Sequence, residues 1–456
     1  LYPPFLYRAD QKPFGSDHMI RRNVTLTEGR VTGLAAYRPN EEGPALLFVA
    51  ERGKLEIVGK HPHGKLDLYG ESPDERVNVL RVLNGNTAEE ISRMSVVEPT
   101  ALVAANQRLH LLEKREDGWA VRSAPLPPDG NLDPAAWSKP VSLPGLKDPR
   151  DLAVDSAGRF FVADPGVNRV LRFSPASELN FAFGAADAQR EGHYDAETFM
   201  QPIRLALRRD QAGREHLLVV ENAGPCRVAE WTTNGQLLRD WGYSLSGNGG
   251  FAVDPKSPQD VYLVGGCETF LRYRVNYDTA DWQLQAVWHG IRTDGLTYPE
   301  ILHHAGRKYL TFKRFGKDGT NLFRFDGDRL LPSAGIIRER REGQPTAYFT
   351  WHDANGNGVR DSDEISPLDM PRGLDRYWGD YRQDDLSLLV PRAGTPDVYR
   401  LPVPRLDDHG NPVYGAWKTV LTDEIYAAKA AGTATAIYGG NEAVSTFNGD
   451  WGSVRQ

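Results

Sequence analysis

Short apolar runs separated by turn residues recur along the chain. The clearest stretch, 148–184, divides into four runs, DLAVD, RFFVAD, RVLRFS and LNFAFG, with Gly, Asp and Asn between them. Runs of this length, rich in Val, Leu and Phe and bounded by turn residues, predict β-strands. The stretch 201–242 repeats the same order of runs. The pattern therefore predicts a four-stranded repeat.

Weaker copies of this repeat lie on both sides of the two clear ones. They bring the number of candidate repeats to seven and cover 31–59, 98–123, 249–275, 298–327 and 376–403. A small twisted sheet that is apolar on both faces can bury them only against neighbouring sheets, and a ring of such sheets is a β-propeller. The predicted fold class is all-β, a propeller of four-stranded blades, with seven blades favoured and six or eight as alternatives.

The predicted domain organisation is one propeller over residues 31–456. The N-terminal segment 1–30 precedes it, and RRNVTLTEG, 21–29, is a candidate for a strand that closes the ring. The tail 435–456 has the pattern of an opening blade. Either this tail pairs with N-terminal residues, or the chain is part of a longer protein.

Two stretches resemble NHL repeats, LAVDSAGRFFVADPGVNRVLRFS and FGAADAQREGHYDAETFMQPIRLAL. The resemblance is good over 148–242 and loose elsewhere. It implies a β-propeller fold. It implies little about activity, because NHL propellers include scaffolds, binding modules and a few enzymes.

Composition and charge agree with a β-rich binding protein. Turn formers and aromatic residues are abundant, with 45 Gly, 31 Pro and 18 Tyr. The net charge of −7 comes from mixed signs without a basic stripe, which argues against a nucleic-acid partner. No apolar run approaches the roughly 18 to 20 residues that cross a bilayer, so no membrane span is expected.

The stretch WHDANGNGVRDSDEISP, 351–367, resembles the calcium loop of an EF-hand. Acidic and amide side chains alternate, so they can turn towards one ion, and Gly358 permits the sharp turn at position 6. Hard oxygen ligands in a flexible shell select Ca²⁺. The predicted ligands are Asp353, Asn355, Asn357, the Val359 carbonyl, Asp361 and Glu364. The alternative is a polar turn that needs no metal.

The sequence on either side of the loop predicts a structural role for the calcium site. TAYFTW, 346–351, has the composition of a strand, and Pro367 and Pro371 prevent a regular helix after the loop. A calcium sensor works by changing the angle between two helices, which are missing from this pattern. We therefore expect an ordering insertion at about 346–370 between late blades. Two neutral Asn ligands favour weak affinity, which suits an extracellular or periplasmic location.

The two cysteines, Cys226 and Cys267, each follow the second strand of adjacent predicted repeats. Equivalent turns of neighbouring blades lie on the same face, so a disulfide is one interpretation. Two free, partly buried thiols are the other. A bridge would favour an extracytoplasmic location.

Charged and aromatic residues at strand ends predict a ligand-binding face. Cationic side chains there would pair with a carboxylate or sulfate, and Tyr could stack on a sugar ring. The candidate ligand-binding residues are Arg150, Arg204, Tyr298, Glu300, Lys313 and Arg314. The alternative is that acidic residues after the second strands cap turns and that arginines pair with them.

The sequence favours a secreted or periplasmic module that binds a protein or an acidic carbohydrate. The runner-up is a polysaccharide lyase or hydrolase with its site on the loop-rich face. A lyase would need an arginine to neutralise a carboxylate and a base to remove the neighbouring proton. The candidates for these roles are Arg150, Arg204, His193 and Tyr194. No common catalytic motif such as G-x-S-x-G or H-E-x-x-H occurs.

Overall fold

A computed structural model describes most of the chain between residues 29 and 447. The described residues are 29–40, 43–53, 55–60, 67–71, 78–185, 192–223, 226–241, 250–265, 269–289, 299–312, 320–339, 346–371, 374, 381–391, 398–421, 434–438 and 443–447. They form β-strands and two short 3₁₀ helices, Pro134–Ala136 and Ser362–Glu364, with no α-helix among them. The predicted all-β class is confirmed.

The chain divides into two units. Unit 1 comprises Leu1–Ala188, Ala196–Ala223 and Arg227–Gly242. Unit 2 comprises Gln189–Asp195, Gly224–Cys226 and Tyr243–Gln456.

Unit 1 contains four antiparallel sheets of four strands each. The first sheet has the order β1-β2-β5-β6. The separate hairpin β3–β4 is inserted in the chain between β2 and β5, which pair with each other. The other sheets are β7 to β10, β11 to β14 and β15 to β18. The strands are β1 Arg30–Tyr37, β2 Leu46–Arg52, β3 Leu55–Lys60, β4 Asp67–Glu71, β5 Val79–Asn84, β6 Glu90–Ser95, β7 Pro99–Ala105, β8 Arg108–Arg115, β9 Gly118–Pro125, β10 Val141–Ser142, β11 Asp151–Val154, β12 Phe160–Asp164, β13 Arg169–Phe173, β14 Leu179–Phe183, β15 Pro202–Arg209, β16 Glu215–Glu221, β17 Val228–Thr232 and β18 Leu237–Trp241.

The first strands of consecutive sheets in unit 1 pack against each other. β1 contacts β7, β7 contacts β11, and β11 contacts β15. β1 and β7 approach so closely that a Cβ added at Gly33 would lie 2.6 Å from the Cβ of Leu102. Stacking of sheets through their first strands is the arrangement of consecutive propeller blades.

The two middle sheets of unit 1 are apolar on both faces because strand side chains alternate between the faces. Leu111 packs into the core with the first sheet, while its neighbour Leu112 packs into the core with the third. Val162 and Phe161 divide in the same way between the second and fourth sheets. Burying each such side chain contributes about 1.5–3 kcal/mol. The stacked sheets are therefore held by a separate apolar layer between each pair.

Unit 2 contains a four-stranded sheet, β19 to β22, a six-stranded sheet, β23 to β28, and a four-stranded sheet, β29-β30-β31-β34. Two hairpins, β32–β33 and β35–β36, complete its described strands. The strands are β19 Phe251–Asp254, β20 Ser257–Val264, β21 Thr269–Asn276, β22 Asp281–His289, β23 Pro299–His304, β24 Arg307–Phe312, β25 Thr320–Asp326, β26 Arg329–Glu339, β27 Ala347–His352, β28 Ile365–Pro367, β29 Tyr381–Arg382, β30 Leu388–Pro391, β31 Val398–Leu401, β32 Arg405–Leu406, β33 Pro412–Val413, β34 Lys418–Leu421, β35 Ala434–Tyr438 and β36 Ala443–Phe447.

An aromatic cluster fills the core between the first two sheets of unit 2. Tyr262 and Phe270 stack with ring centroids 5.6 Å apart, and Trp288 lies 6.0 Å from Phe270. Phe312 from the second sheet meets Phe270 edge to face. These aromatic side chains form much of the apolar core shared by the two sheets.

The seven predicted repeats each fall on one of the seven sheets that have four or more strands. The predicted extent of the first repeat, 31–59, is wrong, because the β3–β4 hairpin displaces its third and fourth strands to Val79–Asn84 and Glu90–Ser95. Blade number and ring closure stay predictions, since residues 1–28, with most of the proposed closing strand, lie outside the described residues. Among the described residues, no helix has the length and apolarity of a membrane span.

Candidate functional site

Unit 1 repeats one device at the end of the second strand of every sheet. A carboxylate there is almost completely buried and accepts a hydrogen bond from the main chain that enters the same sheet. The four carboxylates and the amides they accept from are Glu51 with Gly29 at 2.8 Å, Glu113 with Val97 at 3.4 Å, Asp164 with Lys147 at 2.6 Å, and Glu221 with Met200 at 3.0 Å. These residues follow the capping alternative, in which the acidic groups order turns.

Arginines complete three of these contacts. Arg81 lies 3.0 Å from Glu51, and Arg115 lies 2.9 Å from Glu113. Arg227 is fully buried and donates to Glu221 at 2.7 Å. Burial raises the pKa of Glu221 despite this partner. The paired groups are therefore part of the fold and are not presented to a ligand.

Arg150 and Arg204 differ from these arginines because they lie where two sheets begin. Arg204, near the start of β15, is exposed, and its Nη1 donates to the main-chain carbonyl of Arg150 at 3.4 Å and to its neighbour's carbonyl at 3.1 Å. Arg150, just before β11, pairs with Asp148 at 2.7 Å, both side chains being more than 40% exposed. The structure thus brings together two of the predicted ligand-binding residues.

Asp151 joins the two strand starts that carry these arginines. Its Oδ2 accepts from Leu205 N at 2.8 Å, and its Oδ1 accepts from Leu152 N at 3.0 Å. Burial raises the pKa of Asp151, while the nearby Arg204 and these main-chain donors act in the opposite direction. The carboxylate therefore ties β11 to β15 and keeps both arginines at the same edge.

The other predicted ligand-binding residues lie in unit 2 or outside the described residues. Glu300 is half-buried in β23, opposite Thr311 of β24. Tyr298, Lys313 and Arg314 lie outside the described residues.

The predicted lyase residues are divided between the two units. His193 is exposed in unit 2. Tyr194 is half-buried there, packed on the core of Leu271 and Val287, and its main-chain N donates to Gln285 at 3.1 Å. Arg150 and Arg204 belong to unit 1.

Residues 353–364, called here the 353–364 loop, connect β27 and β28 of the six-stranded sheet. β27, Ala347–His352, confirms the predicted strand before the loop, and a strand, β28 Ile365–Pro367, directly follows the loop. The insertion follows the four strands β23 to β26 and precedes β29, and it is joined to the earlier sheet, because β27 pairs with β26 and β28 pairs with β27. The six-stranded sheet is therefore extended by the segment that carries the loop.

Side chains of the 353–364 loop hold its own turns. Asn355 Oδ1 accepts from Asn357 N at 2.9 Å, and Asn357 Oδ1 accepts from Val359 N at 2.6 Å. The Nδ2 groups of both asparagines donate to Asp361 Oδ2, at 2.8 and 3.0 Å. Glu364 accepts from Asn355 N and Asp361 N at 3.1 and 3.2 Å. The alternating polar side chains of the loop therefore bind one another and the main chain of the loop.

Asp353 supplies the test of whether the loop fits a cation. It is fully buried, and its Oδ2 accepts from Gly358 N at 3.0 Å, at a position where Gly358 has a φ of +74°. Its Oδ1 is buried and has no hydrogen-bond partner among the described residues. A bare carboxylate oxygen of this kind is costly unless a cation or donor meets it. This oxygen and the neighbouring amide and carboxylate oxygens fit Ca²⁺.

The carboxylates of the loop are nevertheless turned to protein donors. Within the described residues, no group of three or more His, Cys, Asp or Glu side chains is gathered as a metal site. The two asparagine amides occupy Asp361 Oδ2, and main-chain amides occupy Glu364. Calcium binding by the six predicted ligands therefore stays a prediction.

Cys226 is disulfide-bonded and has a φ of +55°. The chain contains two cysteines, and Cys267 lies outside the described residues. The pairing of Cys226 with Cys267 stays a prediction.

Two buried charge clusters were missed by sequence reasoning. In unit 1, Glu230 accepts from His216 at 2.6 Å and Arg239 at 2.7 Å. Burial alone would raise the pKa of Glu230, but the hydrogen bonds from Arg239, His216 and Arg208 outweigh it and lower the pKa to about 2. Acidic and basic residues recurring at cross-strand positions were the only signal available in the sequence.

The second cluster lies in unit 2 around Asp254. It accepts from His303 at 2.8 Å and lies 2.5 Å from Lys308 Nζ, which sits over the Tyr262 ring. Burial opposes ionisation, but Lys308 and His303 together lower the pKa of Asp254 to about 2. The cluster joins β19 to β23 and β24, which indicates a structural role.

The sequence matches no protein-family description. It matches no curated protein either.

Several solved structures have distant similarity to the chain. The periplasmic gluconolactonase PpgL of Pseudomonas aeruginosa is 14% identical, covering 68% of this chain and 85% of its own, with a TM-score of 0.31. Virginiamycin B lyase from Staphylococcus aureus is 11% identical, covering 77% and 91%, with a TM-score of 0.23. BamB from Moraxella catarrhalis is 10% identical, covering 71% and 83%, with a TM-score of 0.28. At these values the similarity carries no conclusion about this chain.

Proposed function

We propose that the chain is a secreted or periplasmic β-propeller that binds an anionic ligand and is stabilised by calcium. The observation that carries the binding proposal is the pair Arg150 and Arg204. They meet where two sheets begin, and within the described residues the Arg204 guanidinium hydrogen-bonds only main-chain carbonyls. The propeller itself is supported by the packing of first strands in unit 1.

The chemistry of this pair selects the ligand class. Guanidinium groups bind carboxylates and sulfates through paired N–H donors, with a geometry that ammonium groups do not match. Arg204 retains donors for such a ligand, and the Arg150 pair with Asp148 is exposed enough to exchange. An acidic polysaccharide presents these groups repeatedly, and it is the ligand proposed.

Calcium has a structural part in this proposal. The Asp353 carboxylate, the side chains of Asn355, Asn357, Asp361 and Glu364, and the Val359 carbonyl would hold the ion. Bound calcium would take the place of the amide groups that donate to the loop carboxylates. Its positive charge would hold the start of the 353–364 loop to its end. The unpartnered Asp353 Oδ1 supports this assignment.

The extracellular or periplasmic location rests on two features. A loop with two neutral ligands suits calcium-rich surroundings better than cytosol. Cys226 is disulfide-bonded, and disulfides persist mainly in oxidising compartments.

An array of acidic polysaccharides, scored for binding, tests the ligand proposal. Arg204→Gln and Arg150→Gln should each weaken binding about tenfold or more, since a charge-assisted pair contributes roughly 1.5–3 kcal/mol. The matched control is Arg214→Gln, an exposed arginine of the same unit. Equal binding by all four proteins, or no binding by any, would refute the proposal.

The same array separates binding from the alternative lyase activity. A lyase leaves a new carbon–carbon double bond, which absorbs in the ultraviolet. Rising absorbance that is lost in His193→Ala or Tyr194→Phe would favour the enzyme. Binding without absorbance would favour the module.

A further inference from the structure

Arg324 is a buried cation beside the 353–364 loop that the calcium motif does not include. It lies in β25 and is 4% exposed. Its Nη1 donates to Asp353 Oδ2 at 2.5 Å, and its Nη2 donates to the Gly356 carbonyl at 3.0 Å. The guanidinium therefore grips the loop at a carboxylate and at a carbonyl three residues further on.

Asn411 extends this grip to a third segment of unit 2. Its Oδ1 accepts from Arg324 Nη1 at 2.6 Å and from Ser333 Oγ at 2.7 Å. Its Nδ2 donates to the Asp353 carbonyl at 2.6 Å. Asp353 N in turn donates to the Ser333 carbonyl at 2.9 Å. The first residue of the loop is thus fixed through its main chain as well as its side chain.

The same contacts leave little freedom to the first turn of the loop. Gly356 has a φ of +76°, and a Cβ added there would lie 2.5 Å from His409 Nδ1. Gly358 N donates to the same Asp353 oxygen that Arg324 holds. The hydrogen bonds from Arg324, Asn411 and Gly358 N therefore fix both the main chain and one carboxylate oxygen at the start of the loop.

Arg324 also determines how Asp353 can meet an ion. The guanidinium and Gly358 N share Oδ2, which leaves Oδ1 as the unpartnered oxygen. Asp353 can therefore offer a cation one oxygen. A fixed positive charge so close also opposes a second cation, because Coulomb repulsion is strong in a partly dry site.

We propose that Arg324 holds the 353–364 loop in its folded shape before any metal binds, and that calcium enters a preformed site through Asp353 Oδ1. The second half of this proposal rests on the proposed calcium function, and the first half does not. Arg324 is a positioning residue here, since it acts on the metal site through Asp353.

Hydrogen exchange of the intact chain, followed by mass spectrometry over peptides that span 353–364, tests this directly. With EDTA, the main-chain amides of the wild-type loop should be protected from exchange, because they donate hydrogen bonds to Asp353, Glu364 and the asparagines. Arg324→Met should exchange about tenfold faster or more, since a buried bond to a charged group is lost. The matched control is Arg329→Met, at an exposed arginine of the adjacent strand, which should exchange like wild type.

Adding Ca²⁺ separates the two halves of the proposal. Calcium should slow exchange in Arg324→Met towards the wild-type rate, because the ion then supplies the missing charge. Protection in EDTA that depends on Arg324 but is unaffected by calcium would leave the Arg324 assignment standing and refute calcium binding. An unprotected wild-type loop in EDTA, or equal exchange in wild type and Arg324→Met, would overturn the assignment. Arg324→Lys, which keeps one charge, should be intermediate, and this excludes a general loss of folding as the cause.

Discussion

The two units build similar sheets and order their loops by different means. In unit 1, a buried carboxylate lies at or near the end of the second strand of all four sheets and binds the segment that enters the same sheet. In unit 2, β20 ends at Val264 and β24 at Phe312, so neither strand ends in a carboxylate. Its long loop is held instead by Arg324, Asp353 and Asn411, which come from separate segments.

This difference shows which stabilising features can recur in every copy of a repeat. The unit 1 device needs one acidic residue at a fixed strand position, and its partner is always a nearby main-chain amide. Each copy therefore works without its neighbours. The unit 2 arrangement needs three residues that are distant in sequence, and among the loops that the structure describes it is found at the 353–364 loop. Substitutions at a buried carboxylate of unit 1, at the arginine partner of another, and in the main chain of the unit 2 loop test these roles.

Arg227→Met should have the largest effect on the free energy of unfolding. Arg227 is fully buried and donates to Glu221, to Asp240 at 2.6 Å and to the Thr198 carbonyl at 2.7 Å. Removing it leaves Glu221 buried without its cation, which costs about 3–5 kcal/mol. Urea unfolding measures this loss. Arg93→Met, which breaks an exposed pair with Glu90, should cost about 0–1 kcal/mol, and equal losses in both variants would contradict the role of Arg227.

Asp164→Ala tests the repeated carboxylate itself. Asp164 accepts main-chain hydrogen bonds from Lys147, Asp148 and Gly166, at 2.6, 2.9 and 2.9 Å. Its loss leaves buried donors unsatisfied and should lower the free energy of unfolding by about 2–3 kcal/mol. Asp148→Ala, at a half-exposed carboxylate in the same turn, is the control. A loss no larger than the control's would show that the device does not stabilise the sheet entry.

Gly358→Ala tests the main chain of the unit 2 loop. The φ of +74° is strained for alanine, and the added Cβ would lie 3.0 Å from Leu331 Cδ2. We expect a loss of about 1–2 kcal/mol. Gly213→Ala, at a similar φ with open space around it, separates the strain from the contact. Gly358→Ala should therefore cost more than Gly213→Ala in the same thermal melts.

The pH dependence of the free energy of unfolding should involve both units. The pKa values of Glu230 and Asp254 are lowered to about 2 in the folded chain, because hydrogen-bond donors outweigh burial. Their ordinary values are about 4. The folded chain is therefore stabilised above about pH 4, and this contribution is lost as the pH falls towards about 2. Asp254→Asn should melt lower at pH 6 and lose less on acidification; a parallel curve would contradict this.

Sequence reasoning recovered three or four strands of every sheet but the first, because these strands depend on local alternation. The fourth strands β10, β22, β26 and β34 lie beyond the predicted repeats. The runs DLAVD and RFFVAD became β11 and β12 with little change in their bounds. It placed the first repeat wrongly because the β3–β4 hairpin interrupts the sheet, and an inserted hairpin has the same alternation as the strands around it. Alternation alone does not say which strands pair.

The candidate sites were recovered in part for the same reason. The 353–364 loop was visible because its polar groups are close in sequence. Arg324 and Asn411 were not, since their contacts with Asp353 depend on tertiary packing. The adjacency of Arg150 and Arg204 followed from their equivalent places at two strand starts. The sequence did not distinguish Arg204 from the arginines that are paired with buried carboxylates.

The melting temperature with and without calcium tests the central claim most directly. Wild-type protein is compared with Asp353→Asn in EDTA and in millimolar Ca²⁺, with Mg²⁺ as the ion control. Calcium at about 100 times its Kd should stabilise wild type by about 2.7 kcal/mol. Calcium should therefore raise the melting temperature of wild type and leave Asp353→Asn nearly unchanged. An identical melting temperature of wild type in EDTA and calcium would contradict a calcium-binding loop.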